Sequence, residues 1–93
     1  MAFRVQLGRK ALRDIDEAVL WYKARSRRTA RRFLEEYQAA RDLILESPER
    51  WPLIDEDLRK LPLRTFPYSM IYSVSGEIVL VYAVAHAKRA PYW

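Results

Sequence analysis

Residues Tyr68 to Ala85 read YSMIYSVSGEIVLVYAVA, two alternating runs on either side of Ser75-Gly76. In the first run Tyr68, Met70, Tyr72 and Val74 fall on one side and Ser69, Ile71 and Ser73 on the other, the period-two pattern of a strand. Ser75-Gly76 supplies a hairpin turn. In the second run, Glu77 to Ala85, simple alternation sets Ile78, Leu80, Tyr82 and Val84 against Val79, Val81, Ala83 and Ala85. This run is apolar on both faces, whereas a sheet covered on one side normally shows polar residues on the other. Either the strand lies centrally in a curled sheet, or a partner covers its second face. The small Ala83 and Ala85 favour the central position.

Working outward, Leu61, Leu63 and Thr65 alternate with Lys60, Pro62 and Arg64, and Pro62 and Pro67 mark an edge or irregular strand. Pro48 to Asp57 reads as a loop. Before it, the spacing predicts a helix from about Thr29 to Glu46, with Ala30, Phe33, Leu34, Tyr37, Ala40, Ile44 and Leu45 on its apolar face. Ser47-Pro48 ends it, because a residue before proline avoids the helical region. A first helix runs from Arg9 to about Arg25, with Leu12, Ile15, Val19 and Tyr22 as its stripe. Ser26 to Thr29 separates the two helices and offers a capping hydroxyl. Phe3 to Leu7 alternates as a short strand that ends at Gly8. The order is β-α-α-β-β-β: an α+β domain with an antiparallel sheet and an N-terminal helical hairpin packed on one face.

The 93 residues, 51% hydrophobic, suit one small domain spanning 1–93. The absence of cysteine removes disulfides and thiolate metal sites. The start MAFRVQLGRKALRD lacks the apolar core of a signal peptide. The longest apolar run, Ile78 to Ala85, is too short to cross a bilayer. The expectation is a soluble, cytoplasmic protein without cofactor, metal or membrane partner. The net charge is +5, and the basic residues are mostly arginine, which suits phosphate or carboxylate partners. Arg25, Arg27, Arg28, Arg31 and Arg32 crowd the bend between the helices. Their position suits phosphate or an acidic partner, or simply a soluble turn. Asp14, Asp16 and Glu17 read as a solvated helix face, with pairs such as Arg13–Glu17.

Two glycines cannot build a nucleotide-binding loop, and one histidine gives no metal cluster. Lys60 and Arg64 before the hairpin, with His86, Lys88 and Arg89 after it, are the remaining constellation. Brought together, these groups can cleave RNA without metal: one takes the 2′-hydroxyl proton, another protonates the leaving oxygen, and arginines hold the phosphorane. Histidine suits proton transfer near neutral pH. The alternative for His86 is a polar strand end, or a ring packed beside Trp93.

Residues 59–93, RKLPLRTFPYSMIYSVSGEIVLVYAVAHAKRAPYW, resemble the C-terminal half of RelE/ParE-type toxins of bacterial type II toxin–antitoxin modules. The resemblance rests on Arg64, Phe66-Pro67-Tyr68, the apolar pair before Tyr72, the hairpin, Ala83-Val84, His86, Arg89, Pro91 and Trp93. It implies a toxin neutralised by a cognate acidic antitoxin that covers apolar surface by helix-in-groove docking or strand addition. RelE-like members cut messenger RNA at the ribosome; ParE-like members poison DNA gyrase. In the ribonuclease branch, Arg64, and Arg89 with Tyr92, occupy positions of functional arginines and their neighbours. Catalysis would then fall to Arg64, His86 and Arg89. Ser69 departs from that branch, which usually has arginine there; by analogy with an oxyanion donor, its loss removes roughly 2.7–4 kcal/mol of charge stabilisation. The Phe-Pro-Tyr segment and the His…Arg…Pro…Trp ending resemble the ParE and plasmid-stabilisation side. The expectation is a gyrase-directed toxin that contacts its target or phosphate through Lys60, Arg64, Lys88, Arg89 and Tyr92, with Trp93 anchoring the tail. A ribosome-associated mRNA endonuclease and a non-toxic binding protein of the same fold are the alternatives.

Overall fold

The computed structural model describes residues 2–88. Within them lie β1 (Arg4–Leu7), α1 (Arg9–Lys23), α2 (Arg27–Glu46), a 3-10 turn (Pro48–Arg50), β2 (Arg59–Pro62), β3 (Tyr68–Ser75) and β4 (Ile78–His86). The α+β class and the β-α-α-β-β-β order are those read from the pattern. The sheet order is β1-β4-β3-β2. The sheet is mixed rather than wholly antiparallel, because β1 runs parallel to β4, from Arg4 opposite Ile78 to Leu7 opposite Val81. Parallel neighbours need a long crossover, and everything between β1 and β4 provides it. β4 therefore lies between two strands, which accounts for its apolar character on both faces.

Simple alternation fails inside β4. Ile71 of β3 pairs with Ala83 and Tyr72 with Val81, so Tyr82 is an extra residue in the ladder, a β-bulge. Beyond it the faces exchange. Val79, Val81 and Val84 all join the helix-covered core, while Ala83 and Ala85 pack with Ile71 on the opposite face, where Leu58 joins them. Tyr82 itself is largely exposed. The hairpin turn is as expected, with Gly76 at φ +59°, a conformation L side chains rarely adopt.

Gly8 sits at a close approach. Its N–H donates to Val81 O at 2.9 Å, and a Cβ there would stand 3.2 Å from the same oxygen. The chain turns from β1 directly into α1 at this point, which brings the helix low over the sheet. Its buried line is consequently Ala11, Asp14 and Ala18, flanked by Ile15, Val19 and Tyr22, with Leu12 turned outward. Small alanines permit that approach; a line through Leu12 would hold the helix away. Ser26 caps α2, its hydroxyl accepting from Thr29 N–H at 3.2 Å. Ala30, Phe33, Tyr37, Ala40 and Ile44 form the buried stripe of α2, and Leu34 lies at its exposed edge.

Asp14 belongs to the interior, not to a solvated face. Its carboxylate accepts the Val84 N–H at 3.0 Å and two contacts from Lys10 Nζ at 3.0 Å. β1 ends opposite Val81, so the carboxylate of α1 supplies an acceptor where strand pairing has stopped. The loop after α2 is held from the sheet in a similar way. Tyr72 OH donates to Pro48 O at 2.5 Å, and Arg59 Nη1 donates to Glu49 O and Trp51 O at 3.0 and 2.6 Å.

Candidate binding surfaces

The outer edge of α2 carries Arg32, Glu35, Glu36, Ala39, Ala40 and Leu43 at helical spacing, beside the buried stripe. Across from it stand Trp51, Leu61, Pro62 and Arg64, and between them runs an open groove of about 610 Å³. Ala39 and Ala40 keep the floor low, and Pro62 ends a strand of only four residues, so the wall is short. The groove is apolar along its length, with Arg32 and Arg64 set among Glu35 and Glu36 as charged groups. Glu36 pins one end: it accepts from Thr65 N–H at 2.8 Å and from the Thr65 hydroxyl. Burial disfavours its charge, but these hydrogen bonds, the Phe66 N–H and nearby Arg32 outweigh burial and lower its pKa.

A second cleft, about 650 Å³, lies where β3 begins and β4 ends. Glu17, Trp21, Tyr22, Pro67, Tyr68 and His86 line it. Its walls are an aromatic cluster: Tyr22 meets Phe66 edge-on at 5.0 Å, Phe33 meets Tyr68 at 5.2 Å, and His86 meets Tyr68 at 5.0 Å. Burial raises the Tyr22 pKa, against a hydrogen bond with Tyr68. His86 is half-buried, and its Nδ1 accepts the Lys88 N–H at 3.1 Å, which places this histidine as a strand-end group.

The constellation drawn from the sequence is distributed over several surfaces. Arg64 lines the α2–β2 groove and His86 lines the second cleft. Lys60 pairs with Ile71, on the sheet face opposite the helices. Lys88 is exposed in the turn after β4. Arg89, Tyr92 and Trp93 lie outside the described residues, and with them the tail anchor. Among the described residues no group of three or more His, Cys, Asp or Glu could hold a metal ion, and no helix is long and apolar enough to cross a membrane. The groove escaped the sequence reading because its residues form a second, weaker stripe on α2. Asp14 left a clearer signal: Ala11 and Ala18 lie three before and four after it, on one face.

The family model described as the ParE toxin of type II toxin–antitoxin system, parDE, matches residues 5–91. Among solved structures, a chain of the chromosomal ParDE TA system from P. aeruginosa has the same fold. Its TM-score is 0.80 at 17% sequence identity, and the match covers 92% of this chain and 97% of that one. No curated protein matches the chain.

Proposed function

The chain belongs to the ParE toxin family of type II toxin–antitoxin systems, and on that premise we propose that it arrests growth by binding DNA gyrase and is neutralised by a cognate acidic antitoxin. Residues 1–93 act as one toxin domain in the cytoplasm. The observation that carries this reading is the family match along nearly the whole chain, joined to a preformed apolar groove between α2 and β2. A groove with an apolar floor and charged groups along it suits the apolar face of a partner helix or an added strand. The antitoxin is its occupant in this account, with its acids meeting Arg32 and Arg64.

That Arg64 and His86 open onto different clefts supports a toxin that works by binding over one that cuts RNA. General acid–base cleavage needs its groups within hydrogen-bond reach of one phosphate, and these two line different clefts. His86 serves here as an aromatic-packed strand end. Ser69, paired with Ala85 one step from the end of the β3–β4 ladder, supplies no cation in place of the ribonuclease branch's arginine.

The test is induction in a bacterium with and without the adjacent gene for a small acidic protein, followed by RNA and DNA integrity assays. The expected result is arrest with DNA damage signalling and intact messenger RNA, relieved by the second gene. Messenger RNA cut in translating extracts would replace this reading with the ribonuclease one. Harmless expression without an antitoxin would leave a binding protein of the same fold.

A further inference from the structure

The positive charge of this protein is concentrated in one place. Lys23, Arg25, Arg27, Arg28, Arg31 and Arg32 put six of the 17 basic residues into ten consecutive positions, and no acid occurs between Glu17 and Glu35. The rest of the chain holds 11 basic and 12 acidic residues, so the bend between α1 and α2 is the source of the whole excess. All six side chains are exposed. The ion pairs found among the described residues, Lys10–Asp14 and Arg41–Asp42, do not involve the bend, and of its six cations Arg32 alone is drawn on by a neighbouring acid, Glu36.

This arrangement works against the helix that carries it. Arg27 and Arg31, and Arg28 and Arg32, are like charges four residues apart, which repel. Arg27 and Arg28 also stand in the first turn of α2, the positive end of the helix dipole, with no acid beside them. Neither effect helps folding; both are relieved by an external anion.

We propose that the α1–α2 bend binds the phosphodiester backbone of a nucleic-acid duplex, with Arg27, Arg28 and Arg31 as phosphate contacts and Arg25 beside them. Guanidinium groups bind phosphate oxygens in bidentate geometry, and backbone contacts of this kind position a protein without reading sequence. A duplex is favoured over a single strand because single strands need free aromatic platforms. The exposed aromatic at the bend, Trp21, has one ring face covered: the Arg25 guanidinium lies 3.5 Å from its ring centroid, and Nη1 donates to Trp21 O at 2.8 Å, so a run of bases finds no row of free platforms there. An acidic protein is less suited, since a protein interface needs an apolar centre. The bend offers only the exposed Leu20 and Trp21 toward such a centre, and Arg25, Arg27, Arg28 and Arg31 do not line the apolar α2–β2 groove.

The test is fluorescence anisotropy of the full chain with short labelled DNA and RNA duplexes of one sequence and the corresponding single strands, titrated with salt. The patch variant Arg27→Gln/Arg28→Gln/Arg31→Gln is compared with the equally charged control Arg4→Gln/Arg9→Gln/Arg13→Gln. Wild type should bind duplexes at about 50 mM salt and weaken steeply toward about 200 mM, and the patch variant should lose about 0.9 of the log–log salt slope per arginine removed. The control should keep nearly all of the wild-type affinity. Arg27→Glu/Arg28→Glu should abolish binding while holding or raising Tm, which separates lost contacts from lost folding. Equal losses in patch and control variants, tighter binding to single strands, or no duplex binding at low salt would overturn the assignment. An antitoxin affinity that falls in the patch variant while duplex binding stays intact would make the bend a protein interface and overturn it too. None of these measurements contains gyrase, so a failed supercoiling assay leaves them untouched.

Discussion

Replacing Asp14 by alanine should be among the most damaging single changes in the helical layer, although the residue reads as an ordinary surface acid. Asp14 is 6% exposed, and its carboxylate accepts the Val84 N–H at 3.0 Å from a residue 70 positions away. A hydrogen bond to a charged group contributes about 1.5–3 kcal/mol, and an orphaned buried N–H costs about 1–3 kcal/mol. The two overlap, so Asp14→Ala should lose about 2–3 kcal/mol. Asp14→Asn keeps an oxygen for Val84 and gives up chiefly the pair with Lys10, whose side chain is 31% exposed, so it should cost under about 1 kcal/mol. Urea unfolding followed by circular dichroism reads both variants: with a slope of about 1–3 kcal/mol/M, the alanine midpoint should fall by about 0.7–3 M. An alanine variant within about 0.5 kcal/mol of wild type, the scatter of ordinary surface changes, would refute the reasoning. So would an asparagine variant as unstable as the alanine one.

Three further changes probe other parts of the account. Burial pushes the Tyr72 pKa up to about 12, against the pull of Arg59. Its contribution is therefore full below pH 10 and lost as pH rises from 10 toward 12, so wild-type stability should fall more steeply there than that of Tyr72→Phe in urea titrations. Glu36 has a lowered pKa, and its contribution is present above the ordinary carboxylate range and lost as pH falls through the lowered value; Glu36→Gln should flatten that acid limb in thermal melts. Ala39→Arg fills the groove floor from an exposed position. It should leave Tm nearly unchanged yet weaken antitoxin binding at least about tenfold, roughly 1.4 kcal/mol, in calorimetry.

The hairpin was legible because Tyr68 to Val74 alternates without interruption and Gly76 can take positive φ. The bulge at Tyr82 was not, since alternation assigns faces by counting and a single unpaired residue shifts the count. That slip exchanged Val84 with Ala83 and Ala85 between the faces of the sheet. The position of β1 was equally hidden: four residues that alternate do not say which strand they join or in which direction. Leu12 was placed inside by its hydropathy, yet the tight turn at Gly8 sets α1 down on the line Ala11, Asp14 and Ala18, which leaves Leu12 outside. Arg64 and His86 could be named as chemically able, but that they open onto different clefts depends on how α2 and the strands pack. The crowding of arginines at the helical bend was plain in the sequence. The exposure of all of them, and the stacking of Arg25 on Trp21, were not.

The central claim is that this toxin acts by binding gyrase, and the supercoiling of relaxed plasmid by purified gyrase tests it most directly. Titrated with the full chain, supercoiling should fall in a dose-dependent way and recover when a stoichiometric excess of the cognate antitoxin is added. Undiminished supercoiling at an excess of folded toxin that still arrests cells would contradict it.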